Sequence, residues 1–397
     1  MDKERNMLKC ASVYTYEIDD PKVALGEIKS QIDQKLRLLG NTVGIVMCHP
    51  DFINTGVLKY ISENLPFPVA GETTSSQAVN GEAGEFILTI FVMTSDDVRF
   101  VTGVTGDLNR NIDRPIKKAF DEATAGITEL PKLALIFTPL ILNYAGDAYL
   151  RAWQQEIPGV PIFGTIATDD TLNFEDSTTV YNGESYKAAM PFVLCYGKIN
   201  PRFIVGTLPQ DKAMPYKGEV TKADGPFVSE INNVNAYKFF ESIGFASDGA
   251  LAENYIFVPF VIDQKKREDY DGIPVIRGHA SFTEDGTAIF RGDVDQGSVF
   301  TMLNCDNKDV LSVTREKTSQ INEIGDVNGV LMFPCIVRRL MTLHVSPIIE
   351  LETVKETINP NIPFMMGYSG GEMCPTSIID GVPTNRFHNY SLVILVV

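Results

Sequence analysis

The sequence is poor in positive charge: 34 Lys and Arg face 51 Asp and Glu, a formal net charge of −17. Nucleic acid and anionic membranes attract basic surfaces, so neither is expected as a partner. No uncharged apolar run approaches ~18 residues, so no membrane-spanning helix is expected either. The start, Met1-Asp2-Lys3-Glu4-Arg5, is charged and leads into no apolar segment, which excludes a secretory leader from the expectations. The six cysteines (Cys10, Cys48, Cys195, Cys305, Cys335, Cys374) include no Cys-x-x-Cys pair. That removes zinc-ribbon and thioredoxin spacings, leaves no Cys-x-x-Cys-His for covalent haem, and suits a reducing cytoplasm. Four histidines (His49, His279, His344, His388) are too dispersed for a zinc site, so no metal is expected.

What the chain does have is length and core. With 397 residues, 44% of them hydrophobic, it can build two or three domains. Its most organised stretch is Pro363-Phe364-Met365-Met366-Gly367-Tyr368-Ser369-Gly370-Gly371-Glu372. Here a short apolar run meets glycines that surround Tyr, Ser and Glu. The same move occurs at Pro68-Val69-Ala70-Gly71-Glu72-Thr73-Thr74-Ser75-Ser76 and at Pro161-Ile162-Phe163-Gly164-Thr165-Ile166-Ala167-Thr168-Asp169. Glycine lets the backbone pass a close neighbour and expose polar groups beside a cavity.

Around each turn the elements recur in one order. Asp20-Pro21 caps a helix, Gly44 to Cys48 is a buried strand, Val57 to Leu65 a helix, and Phe86 to Met93 a closing strand. The order restarts at Asp113 and again at Asp306. The spacing predicts helix–strand–helix–strand–strand units over about 20–105, 110–207 and 306–397. The expected fold is α/β, two lobes of such units forming mixed, helix-covered sheets, with αββα-like layering as a variant. Residues 1–208 would form the first domain, 209–218 a linker, and 219–397 a second domain opening with a β-rich insert. That insert is expected to hold strands from Tyr255 to Leu303, a helix near Ala236 to Ser242, and a hairpin turn at Glu284-Asp285-Gly286.

The second half resembles the FIST C-terminal domain. The matching pieces are Val220-Thr221-Lys222-Ala223-Asp224-Gly225, Val275-Ile276-Arg277, Phe290-Arg291-Gly292-Asp293, Cys335-Ile336-Val337-Arg338-Arg339, Gly367 to Glu372, and Asn385-Arg386-Phe387-His388-Asn389-Tyr390-Ser391. Residues 40–207 are similar to the FIST N-terminal domain through the first two turns. The resemblance implies a small-ligand sensor of signal transduction. Family members are often fused to kinase or cyclase outputs. Here no residues remain for an output domain, so signalling is expected in trans, through a separate partner of that kind.

Strand ends followed by glycine turns are where α/β sheets place ligands. The candidate ligand-binding residues are Arg277, Cys335, Arg338, Tyr368, Ser369, Gly371, Glu372, His388 and Asn389. A secondary set at the first two turns is Gly71, Thr73, Ser75, Gly164 and Thr168. Arg338 and Glu372 are opposite charges that could hold a zwitterion such as an amino acid, or simply pair with each other. Cys335, with His388 as base, is the alternative of a Cys-dependent hydrolase or transferase; its bland reading is inert core. A haem-based gas sensor with His49 on the iron is the further alternative, although no cofactor is expected. Ligand identity and oligomeric state do not follow from these residues.

Overall fold

The structure is a computed structural model that describes residues 8–141, 144–171, 173–252, 257–265 and 271–397. Unit 1 runs β1 (Lys9–Thr15), α1 (Pro21–Lys35), β2 (Asn41–Cys48), α2 (Asp51–Asn54), α3 (Val57–Asn64), β3 (Val69–Thr73), the hairpin β4 (Gln77–Val79) and β5 (Glu82–Gly84), then β6 (Leu88–Ser95). The expected cap is present: the Asp20 carboxylate accepts the backbone N–H of Lys22 and Val23, with Pro21 in the first turn. Ala24, Leu25, Ile28 and Ile32 are the buried stripe. The helix stops at Lys35, because Leu36 turns extended and Leu39 N–H then donates to Thr94 Oγ1.

Unit 2 repeats the order with β7 (Val98–Val104), α4 (Asp113–Ala123), β8 (Leu133–Thr138), α5 (Gly146–Glu156), β9 (Ile162–Ile166), the hairpin β10 (Thr179–Tyr181) and β11 (Glu184–Tyr186), and β12 (Pro191–Gly197). Unit 3 opens with β13 (Arg202–Gly206) and is then interrupted. The insert holds β14 (Ala213–Asp224), β15 (Phe227–Ile231), β16 (Val234–Asn235), α6 (Ala236–Ser242), β17 (Ala246–Ser247), β18 (Ala250–Leu251), β19 (Phe260–Asp263), β20 (Val275–Arg277), β21 (His279–Phe282), β22 (Ala288–Phe290) and β23 (Val299–Leu303). Unit 3 resumes with α7 (Asn307–Asn322), β24 (Val330–Pro334), α8 (Ile336–Thr342), α9 (Ile349–Thr357), β25 (Phe364–Gly367), the hairpin β26 (Glu372–Ile379) and β27 (Val382–His388), and β28 (Leu392–Val396).

Three six-stranded sheets result, ordered β1-β6-β2-β3-β10-β11, β7-β12-β8-β9-β26-β27 and β13-β28-β24-β25-β4-β5. In each, the two middle strands are parallel and the others antiparallel. Every unit passes its hairpin to another unit's sheet. Unit 2 completes the sheet of unit 1, unit 3 that of unit 2, and unit 1 that of unit 3. The three inner faces share one core, with Val43, Ile45, Met47, Phe137, Phe163, Leu331, Phe333 and Met365. The helices cover the outer faces.

The molecule is therefore mixed α/β with helix-covered sheets. The expected division into 1–208 and 219–397 is not the one that forms: unit 3 shares its sheets and core with units 1 and 2, and the second lobe is the β-rich insert alone. The insert has its own core, including Val220, Phe240, Phe260, Phe290 and Phe300. Two details differ from expectation. The repeating unit starts with a strand, so β7 and β13, which fall within the spans expected for units 1 and 2, open the units that follow. The polar stretch 209–218 is not a free linker. It forms a short 3-10 turn at Gln210–Lys212 and the first half of β14, whose outward residues are polar because that strand is exposed along much of its length. Part of the strand expected to begin at Tyr255 lies outside the described residues. No helix among the described residues is long and apolar enough to cross a membrane.

The three glycine turns are not fully equivalent. Gly71 pairs with Val46 and Gly164 with Ile136, at matching places in their parallel ladders. The matching residue in unit 3 is Met366, opposite Met332. Gly367 sits one position later, where units 1 and 2 have Glu72 and Thr165.

Candidate functional site

Side chains on a strand alternate between faces. Ala70 on β3, Phe163 on β9 and Cys374 on β26 point into the central core. Glu72, Thr165 and Glu372, each two residues away on the same strand, therefore point inward too. They lie at the end of the core where the parallel strands finish, beside Cys335 and Ser391. Thr165 links the two acids. Its Oγ1 donates to Glu72 Oε1 at 2.8 Å, and its backbone is the register partner of Glu372. Glu372 Oε2 accepts from Ser391 Oγ at 2.8 Å. Both carboxyls are 0% exposed.

The segments that follow β3, β9 and β25 knit this end shut. Thr168 N–H donates to Thr73 O, and the hydroxyls of Thr74 and Thr168 both donate to Tyr368 O. Gly370 N–H donates to Ile166 O, and Ile166 N–H to Gly371 O. Met47 fills the notch left by Gly367, where a Cβ would collide with its sulfur. A flexible thioether there is the part of the wall that can yield.

Five buried oxygens at this end or on the turns around it have no hydrogen-bond partner in the protein: Glu72 Oε2, Glu372 Oε1, Ser75 Oγ, Ser76 Oγ and Asn389 Oδ1. Such atoms are rare in native proteins, and each asks for a reason. Burial raises both carboxyls well above the usual carboxylate range. The Thr165 hydroxyl opposes this at Glu72; at Glu372 the Ser391 hydroxyl, the Arg338 charge, and the Cys335 and Ser369 side chains oppose it.

The proposed pairing of Arg338 with Glu372 is not what forms. Arg338 binds Glu350, with Nε and Nη2 on Oε1 at 2.9 and 2.7 Å, and both residues are fully buried. It also donates to Thr314 Oγ1, Val310 O and Tyr390 O. Tyr368 faces the same helix layer and donates to Glu350 Oε2 at 3.2 Å. Arg277 likewise holds structure: it donates to Asp293 O, Phe387 O and Asp147, and so clamps the insert to the body. The Ser369 hydroxyl donates to Gly371 O, and Thr73 bonds Thr178 O. Gly71 and Gly164 serve close strand packing, and Gly371 leaves room for the Phe387 ring. Of the candidate residues, Glu372, Cys335, Ser75 and Asn389 remain with the unpartnered cluster. Glu72, Thr165 and Ser391 were missed. For Glu72 a signal existed: alternation from Ala70 in a fully buried strand turns it inward.

Cys335 is 1% exposed, and burial followed by the charge of Glu372 raises its thiol well above the ordinary value. His388 Nε2 is engaged with Cys374 O at 3.1 Å, and burial pushes the imidazole down to about 4. Neither group is prepared for thiolate chemistry. Iodoacetamide at neutral pH should leave Cys335 unmodified in the folded protein; carbamidomethylation there, read by peptide mapping, would restore the nucleophile. His49 Nδ1 accepts from Asp51 N–H and lies 3.4 Å from the Asp51 carboxylate, while Nε2 lies 3.3 Å from the Asp170 carboxylate and makes no hydrogen bond. His279 Nε2 likewise makes no hydrogen bond, and its ring is set among Phe240, Phe282 and Phe290. Among the described residues no group of three or more His, Cys, Asp or Glu is placed to hold a metal ion. The shallow surface hollows, beside Arg114 and Lys118 and beside Tyr14 and Glu27, share no residue with the buried cluster.

No curated protein sequence matches this chain. The FIST N domain model matches residues 42–234 and the FIST C domain model residues 236–375, so their boundary falls inside the insert just before α6. Together the two matches cover most of the 397 residues. The chain belongs to the FIST family, whose domains are sensory domains associated with signal transduction and small-ligand binding.

Proposed function

We propose that this protein senses an amino-acid-like or other small polar metabolite at the polar end of the three-sheet core. Occupancy would be reported to a separate signalling partner of kinase or cyclase type. The observation that carries the reading is the set of buried oxygens without partners around Glu72 and Glu372. A buried acceptor left alone costs about 1–3 kcal/mol, and a ligand that brings donors recovers that cost. Glu372 is the anchor in this reading. Arg338 is not, because its donors are committed to Glu350 and the neighbouring helices.

The test is thermal unfolding across a panel of amino acids, amines, carboxylates and polyols. A ligand at 100 times its Kd adds about 2.7 kcal/mol of stability, enough for a clear melting shift. The wild type should respond to members of one chemical class, and Glu372→Gln should lose the response. A wild type indifferent to the whole panel would remove this reading.

A further inference from the structure

The chemistry of the unpartnered atoms narrows the ligand class. Glu72 Oε2, Glu372 Oε1 and Asn389 Oδ1 can accept from a ligand; the two carboxyls can also each donate one O–H while protonated, and they only accept once a bound cation has ionised them. Ser75 and Ser76 add two hydroxyls. Among the described residues, the two arginines of the candidate set are committed elsewhere: Arg338 is held by Glu350, and Arg277 by Asp147 and three carbonyls. Resting on the reading above, we propose that the recognised group is a compact ammonium, carried by a small monoamine or short diamine, with Glu372 as its principal partner and Glu72 as the second acid.

A primary ammonium presents three donors in a small volume, which suits a site walled by Thr165, Ser369, Ser391 and a movable Met47. An amino acid would bring the same ammonium together with a carboxylate that meets only the Ser75 and Ser76 hydroxyls and stands beside two acids. The groups facing Glu372 are the Cys335 and Cys374 thiols and, more distantly, Arg338; Glu72 faces Thr165. Buried carboxyls in such surroundings hold their protons until a cation arrives, so amine uptake should release protons.

The experiment is titration calorimetry of the full chain with propylamine, 1,4-diaminobutane, alanine, propionate, glycerol and calcium chloride. It is run in two buffers of different ionisation enthalpy, on wild type, Glu372→Gln and Glu72→Gln. We expect the amines to bind with proton release, alanine to bind at least tenfold more weakly, and propionate and glycerol not to bind. Glu372→Gln should weaken amine binding at least tenfold without lowering the melting temperature. Should that variant fold poorly, Glu72→Gln carries the same comparison with a smaller loss. Tighter binding of alanine, propionate or glycerol than of propylamine, abolished in Glu372→Gln, would overturn the amine class and leave the site standing. Calcium binding that competes with the amines would overturn it in favour of a metal ion. Binding of no compound, or binding untouched by both variants, would overturn the site itself.

Discussion

Arg338→Ala should lower stability by about 3–5 kcal/mol, because it leaves the Glu350 carboxylate buried without its partner. Both side chains are 0% exposed, and the guanidinium ties α7, α8 and α9 together through Thr314, Glu350 and the Val310 carbonyl. Arg338→Lys should recover only part of the loss, since an ammonium cannot reach Glu350, Thr314 and two carbonyls in one plane. Replacing both members, Arg338→Met with Glu350→Gln, should cost less than Arg338→Ala alone. Urea unfolding of the four proteins measures this. A ligand anchor would behave in the opposite way, losing affinity while keeping its stability. If Arg338→Ala unfolds at the wild-type midpoint, the structural assignment of this pair is wrong.

Gly71→Ala should be comparably severe, about 3 kcal/mol or more, although it adds a single methyl group. A Cβ at Gly71 would land on the Val46 carbonyl oxygen, 2.7 Å from the carbonyl carbon. The obstacle is backbone in the central parallel pair of a buried sheet, so relief requires β2 and β3 to part. Gly164→Ala meets the movable Ile136 side chain at 2.5 Å as well as its carbonyl, and should cost somewhat less. Gly26→Ala is the control of opposite sign. It lies in the exposed part of α1 with nothing within 4 Å, and should stabilise by roughly 1 kcal/mol through helix propensity. A Gly71→Ala protein as stable as wild type would mean that the glycine is not there to let the strands approach.

Local signals carried a good part of this fold. Asp20-Pro21 and Asp306 act on backbone groups within four residues, so their helix starts could be read without knowing what the helices pack against. Buried strands such as Leu133–Thr138 are continuous apolar runs, and three recurrences of one element order revealed the repeat. Short strands were less legible. The hairpin β26–β27 carries no strand signal of its own. Its Pro375 and Pro383 argue against a strand locally, and only the partner β9 makes β26 part of a sheet.

The sequence by itself determined the α/β class and the three units, because periodicity, caps and glycine punctuation act over a few residues, and its short motifs carried the family resemblance. Only the tertiary structure decided that the hairpins are exchanged around a shared core, that Glu72 and Glu372 flank Thr165, and that Arg338 belongs to Glu350. Those outcomes depend on which distant groups arrive in the same low-dielectric interior. Glu350, in the first turn of α9, resembles any solvent-facing helix acid until α7 and α8 close over it. A charge's partner is set by what surrounds it after folding, and that information is spread over segments far apart in the chain.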